Sequence, residues 1–150
     1  MTLALVAACL GALAICLGLM RWPGIHWALA EAYTPAAVGT VREIDAVFAG
    51  LNLYLGNYVG EFLGETMLSM FFVLAGFSML DETRFPKWLG WLGVVFGFLF
   101  FIGAFRNVAG SVQIVADINN GLLPLWMIVQ GFAIIRYSRL PDSSPNSSST

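Results

Sequence analysis

Four uncharged apolar stretches dominate the hydrophobic pattern of this chain, and the charged residues lie in the segments between them. The stretches cover residues 1–20, 66–80, 88–105 and 118–135. A bilayer core about 30 Å thick requires about 20 predominantly apolar residues in a helix that rises 1.5 Å per residue. The stretches reach or approach this length once their weakly polar flanks are included. The pattern therefore predicts an all-α integral membrane bundle of four transmembrane helices.

The first stretch is expected to be a true membrane span and not a cleaved signal peptide. No Lys or Arg precedes the apolar run, and no convincing small-x-small cleavage site precedes Arg21. Small residues recur along the run at spacings of three and four, namely Ala4, Ala7, Gly11, Ala14 and Gly18. Such a stripe allows another helix to approach closely.

Between the first and second spans, residues 21–41 hold prolines, glycines and two tryptophans, which predicts a long interfacial loop. Thr40 and Glu43 fit a capping box, so a helix should begin near Val41. Apolar residues recur along its first turns at helical spacing, namely Ile44, Val47, Phe48, Leu51 and Leu55. This pattern is typical of an amphipathic interfacial or partner-binding segment. A helix from Val41 to Leu80 would be about 60 Å long, so only its second half can span the bilayer.

Two glycine ridges are candidates for close helix packing. They comprise Gly56, Gly60 and Gly64 on the second helix, and Gly90, Gly93 and Gly97 on the third. Polar residues run beside the first ridge, namely Asn57, Glu61, Glu65 and Ser69. Glycine at every third or fourth position lets two helix backbones come together, so both ridges predict helix–helix contacts.

The charged segment 81–87 predicts a short turn, because Pro86 suits the first turn of the helix that follows. Folding this hairpin about Arg84 places Arg106 at the depth of Glu61 and Glu65, which predicts an ion pair near the opposite membrane edge. Asp117 is expected at the same edge. Ionisable groups in a span are costly and are candidates for function. We favour the alternative that Glu61, Glu65 and Arg106 are solvated or pair only to fix the hairpin.

Composition supports a membrane protein, with 59% apolar residues, 11% charged residues and a mean hydropathy of +0.80. The net charge of −2 and the scattered basic residues argue against nucleic-acid binding. Residues 1–139 are expected to form one four-helix transmembrane domain. Residues 140–150 form a polar tail that is expected to be disordered.

No catalytic motif is visible in the sequence, and we expect no enzyme, no bound cofactor and no metal. A di-metal carboxylate bundle needs Glu-x-x-His pairs or equivalent ligands, whereas the chain has one histidine. His26 could by itself ligate a haem or chlorophyll. Because it lies beside Trp27 in the predicted loop, we interpret it as a surface residue. Neither Ser69, Ser78 nor Ser111 has a visible base.

The hairpin carries a Trp-Leu-Gly repeat, in the run Arg84-Phe-Pro-Lys-Trp-Leu-Gly-Trp-Leu-Gly93. This run resembles the hairpin of an uncharacterised family of bacterial multi-pass membrane proteins, a domain of unknown function. Its members commonly share this motif and a final Trp-containing helix like residues 122–136, and the resemblance covers about residues 41–139. It implies a helical membrane fold, usually with more spans, and a bacterial membrane location. It implies no established reaction or ligand.

The glycine ridges without a matching chemical site favour an accessory or structural subunit that associates with other membrane subunits or with itself. One alternative is a small transporter or channel component with a polar entrance at Glu61, Glu65, Arg106 and Asp117. Another is a pigment- or quinone-associated subunit. Basic residues are more numerous on the side that holds the turn and the tail, so we expect an inner-membrane protein with both termini cytoplasmic.

Overall fold

The computed structural model describes residues 2–34, 36 and 38–138, and these residues form helices and short connections without a strand. The helices are α1 (Thr2–Met20), α2 (Trp27–Tyr33), α3 (Val38–Leu51), α4 (Gly64–Asp81), α5 (Lys87–Ala104) and α6 (Gln113–Ser138). π-helical segments join α1 to α2 over Trp22–His26, and α3 to α4 over Asn52–Leu63. Short 3₁₀ turns at Phe105–Asn107 and Gly110–Val112 connect α5 to α6.

Across the described residues, four helical stretches are long and apolar enough to cross a membrane. They are Thr2–Tyr33, Val38–Asp81, Lys87–Asn107 and Gly110–Tyr137. The predicted all-α chain with four candidate spans is therefore confirmed. The predicted tail at residues 140–150 lies outside the described residues.

The prediction of a long loop over residues 21–41 is wrong, because most of this segment is helical. The backbone N–H of His26 donates to the carbonyl of Arg21 at 2.9 Å, so the helix continues beyond α1 as a π turn. Pro23 lies in the first turn of this segment, where a missing N–H is tolerated. The Ala-rich run after it favours helix, and α3 then begins at Val38, ahead of the predicted start at Val41.

Helices α2 and α3 pack against each other as an antiparallel pair, which we call the arm together with the π-helical residues that flank it (residues 22–34 and 38–55). His26 stacks on Phe48 with ring centroids 4.1 Å apart. Leu29 and Ile44 line one small cavity of about 270 Å³ between the two helices. Ile44 and Phe48 of the apolar side predicted for α3 therefore face α2, whereas Val47 is exposed. Neither α2 nor α3 contains a fully buried residue.

The arm reaches beyond the part of the molecule that matches a bilayer. Lys87–Asn107 has 21 residues, whereas Val38–Asp81 has 44. Arg106 contacts Glu61, so the end of the shorter helix is level with Glu61 and the arm continues past it. The arm also exposes four charged side chains, namely Glu31, Arg42, Glu43 and Asp45. Charges are costly in hydrocarbon, so these four residues argue against burial of the arm in the core of a bilayer.

Helix α4 lies at the centre of the spans, with α1 packed against it on one side and α5 on the other. Helix α6 packs on α5 and reaches the α4 core through Trp126. Trp126 stacks on Phe96 with ring centroids 4.9 Å apart, and Phe72 lies 5.5 Å from Phe100. These aromatic rings hold α4, α5 and α6 together as one apolar core.

The glycine ridges are used for contacts within this chain. A Cβ added to Gly18 would lie 2.6 Å from the Cα of Gly60, and one added to Gly76 would lie 2.7 Å from the carbonyl of Gly90. The candidate packing glycines Gly60, Gly64, Gly90, Gly93 and Gly97 all lie at such close contacts. Gly56 differs, because a Cβ added there would lie 2.8 Å from the guanidinium of Arg21.

Candidate functional site

The α4–α5 hairpin brings Arg106 to both glutamates, as its register predicts. The Arg106 Nη2 atom lies 2.8 Å from Glu65 Oε1 and 3.2 Å from Glu61 Oε2. Its Nε and Nη1 atoms donate to Glu61 and Glu65 respectively, each at 3.2 Å. A guanidinium has five N–H donors in a planar fork, which is why one arginine can hold two carboxylates.

Asn107 is a member of this site that the sequence analysis did not identify. Its Nδ2 atom donates to Glu61 Oε2 at 2.9 Å and to the backbone carbonyl of Asn57 at 3.3 Å. Its position next to Arg106, level with Glu61 across the hairpin, could have predicted this contact with Glu61. Arg106 and Asn107 together fasten the end of α5 to the π-helical segment that precedes α4.

The carboxylates of this cluster differ in exposure. The side chains of Arg106 and Glu65 are 9% and 12% exposed, whereas that of Glu61 is 39% exposed. The two buried charges, Arg106 and Glu65, are therefore paired with each other, and Glu61 lies at the solvent-accessible side of the cluster. The described residues contain no group of three metal-binding side chains. One arginine thus pairs with two carboxylates, which leaves a formal charge of −1 on the three side chains.

Asp117, the fourth predicted member, is not brought into this cluster. Its Oδ1 atom accepts a hydrogen bond of 2.8 Å from Gln113 one turn earlier on α6, and the residue is exposed. Asn119 links α6 to α5 instead, because its Nδ2 atom donates to the Leu99 carbonyl at 2.7 Å. The register predicted a shared membrane edge but could not give the direction in which Asp117 points.

Arg21 forms a second clamp that the sequence analysis missed. Its Nε atom donates to Asn52 Oδ1 at 3.1 Å, and its Nη1 atom donates to the carbonyl of Gly18. Its guanidinium lies against Gly56, where a side chain would leave no room. Arg21 and Arg106 thus hold α1 and α5 to the same π-helical segment, at the base of the arm.

His26 is buried, so its interpretation as a surface residue is wrong. Only 3% of the residue is exposed, and its ring lies between Phe48 and the edge of Trp22, whose centroid is 4.9 Å away. Both ring nitrogens are buried without a hydrogen-bond partner among the described residues. His26 therefore acts in the structure as an aromatic packing residue between α2 and α3.

This packing role predicts that His26→Phe keeps or strengthens the arm. Removing two buried ring nitrogens without partners should be neutral or stabilising by about 1 kcal/mol, since such groups cost free energy. Hydrogen exchange of the arm amides should stay as slow as in the wild type or become slower. His26→Ala, which deletes the stacked ring, should speed this exchange. Faster exchange in His26→Phe would contradict the packing role.

The comparisons with known proteins give a family and no activity. A family model described as a domain of unknown function, DUF4386, matches residues 1–137. The match includes all four candidate spans and the arm. No curated protein and no solved structure matches the chain.

Proposed function

This chain belongs to the family of the DUF4386 domain of unknown function, and we propose that it is an accessory or structural subunit of a larger membrane assembly. In this proposal the four spans are the anchor, and the arm binds the partner subunit. The observation that carries the proposal is the arm itself, which reaches past the bilayer-length helices although α2 and α3 contain no fully buried residue.

The exposed surface of the arm is apolar enough to suit a protein partner. Trp27 and Tyr54 are each 64% exposed, and Val47 is 50% exposed. Val47, Gly50 and Tyr54 are spaced by three and four residues, so they lie on one side of the helix. Exposed apolar patches mark interaction surfaces, and aromatic residues are enriched at the centres of interfaces. The arm thus supports binding to an apolar protein surface outside the bilayer.

The sequence suggested that the glycine ridges bind a partner, but these ridges already form contacts within this chain. Gly60 meets Gly18, and Gly93 meets Gly76, so these ridges join α1 to the π-helical segment before α4, and α4 to α5. A partner helix would have to displace a helix of this chain to reach them. We therefore assign the association role to the arm.

The polar cluster supports an anchoring role better than a transport role. Arg106 is paired with both Glu61 and Glu65, and it joins the end of α5 to the π-helical segment and the first turn of α4. An ion entrance would need a carboxylate that is free to exchange its partner, whereas Glu65 is buried and held. The cluster is best explained as a structural lock at the base of the arm.

We further propose an inner-membrane location with both termini cytoplasmic. By sequence, four basic residues then belong to the cytoplasmic side, namely Arg84, Lys87, Arg136 and Arg139, against three on the other side, namely Arg21, Arg42 and Arg106. This excess of basic residues follows the positive-inside rule. The arm and the Arg106 cluster would lie on the opposite, periplasmic side, so the proposed partner carries an extramembrane surface there.

Affinity purification of the tagged protein from its native membrane, with mass spectrometry of the co-eluting proteins, tests this function. We expect a stoichiometric partner that is lost in Tyr54→Glu, because the new charge lies in the proposed interface. Ala49→Glu adds the same charge at an exposed position of α3 outside the proposed interface and should keep the partner. A partner retained in Tyr54→Glu, or a homo-oligomer without any partner, would contradict the role of the arm.

A further inference from the structure

A groove of about 480 Å³ opens at the end of the molecule opposite the arm, between α4, the turn that follows it, and α6. Its walls are mainly apolar, formed by Phe71, Ala75, Met79, Phe85 and Ile134. Its mouth is charged, formed by Asp81, Glu82 and Arg84. The volume lies in the range of about 300–1,000 Å³ that is typical of small-molecule sites.

The depth of the groove matches one leaflet of a bilayer. Phe71 and Asp81 both line it and are ten residues apart on α4. At 1.5 Å per residue this is about 15 Å, half of the hydrocarbon core of about 30 Å. An occupant with one end at the charged mouth would therefore have its other end near the middle of the membrane.

We propose that this groove binds one acyl chain of a zwitterionic phospholipid, with the lipid headgroup at the mouth. The apolar walls suit the acyl chain. Asp81 and Glu82 can accept hydrogen bonds from a headgroup ammonium, and Arg84 suits the phosphate beside it. Because the mouth carries both signs of charge, it complements phosphoethanolamine better than a purely anionic headgroup.

Photocrosslinking tests this site in purified protein reconstituted in phosphatidylcholine vesicles. The probe is phosphatidylethanolamine with a diazirine on one acyl chain, present as a minor component. We expect adducts concentrated on Phe71, Met79 and Ile134. Phe77, which is exposed on α4 but does not line the groove, should carry few. Equal labelling of Phe77 and the groove residues would overturn the proposal, because it would indicate only general lipid contact.

Two adjacent isoleucines provide a matched pair of variants. Ile134 lines the groove, whereas Ile135 is exposed outside it. Ile134→Trp should lower the adduct yield on Phe71 and Met79 about tenfold, equivalent to about 1.4 kcal/mol of binding free energy. Ile135→Trp should leave the yield unchanged. Equal yields in the two variants would overturn the proposal.

Competition identifies the headgroup and excludes other occupants. Unlabelled phosphatidylethanolamine should compete with the probe, and anionic phosphatidylglycerol should compete much less. Equal competition by both lipids would overturn the assignment of a zwitterionic headgroup. Adducts that form only after removal of residues 139–150 would overturn the lipid site, because the chain's own terminus would then be the occupant.

Discussion

Replacing Arg106 with leucine is expected to destabilise the folded chain by about 3–5 kcal/mol. The substitution leaves Glu61 and Glu65 without their cation, and Glu65 is 12% exposed. Breaking a buried ion pair on one side costs more than the pair contributes, because the remaining charge stays desolvated. Unfolding in mixed micelles of increasing SDS content, followed by tryptophan fluorescence, measures this loss.

Two further variants test whether the loss comes from the unpaired charge or from the lost side chain of Arg106. Arg106→Leu with Glu65→Gln should recover part of the lost stability, because the neutral amide tolerates burial better than an unpaired carboxylate. Glu65→Gln alone should cost less than Arg106→Leu, since Glu61 still pairs with the arginine. If Arg106→Leu unfolds at the same SDS fraction as the wild type, the cluster does not lock the hairpin.

Gly76→Ala is expected to disrupt the packing of α4 on α5 more than any other single methyl group added there. The new Cβ would lie 2.7 Å from the carbonyl oxygen of Gly90 and 2.8 Å from the backbone N of Val94. Backbone atoms cannot move aside as side chains do, so the two helices must separate. We expect a loss of about 3 kcal/mol, at the upper end of typical overpacking costs. The same SDS titration measures it.

Alanine substitutions at two other glycines serve as controls for Gly76→Ala. Gly131→Ala on α6 adds a methyl group that meets nothing within 4 Å, so it should be neutral or slightly stabilising. Gly56→Ala meets only the flexible end of Arg21, so its effect should lie between the other two. Equal stabilities for the Gly76 and Gly131 variants would contradict the observed contact between α4 and α5.

The spans and the Arg106 pair could be predicted because each depends on a local rule. Twenty apolar residues specify a span, and the short turn at residues 81–87 fixes the register of α4 against α5. That register alone placed Arg106 beside Glu61 and Glu65. It gave no direction for Asp117, because the angular position of α6 depends on how its side chains pack against α5.

The sequence predicted the amphipathic helix of the arm from Val41, but α2 and its packing on α3 could not be predicted, because the signals for them are tertiary. Pro23 and Gly24 indicated a loop, yet the π turn accommodates Pro23 and the chain continues as α2. The stacking of His26 on Phe48 depends on a contact between residues 22 positions apart, which no local pattern reveals. The partners of the glycine ridges were likewise hidden, because a ridge looks the same whether its neighbour is in the same chain or another.

Cysteine labelling of the purified protein in vesicles tests most directly whether the arm lies outside the bilayer. In a variant with Cys9 and Cys16 replaced by serine, single cysteines are placed at Ala32 and Ala46 in the arm. Phe98 and Ile128, exposed on the spans, are the matched positions. With both membrane faces accessible, a membrane-impermeant maleimide should label the arm positions rapidly and the span positions hardly at all. Arm cysteines protected as strongly as the span cysteines would show that the arm lies in the membrane and would contradict the account.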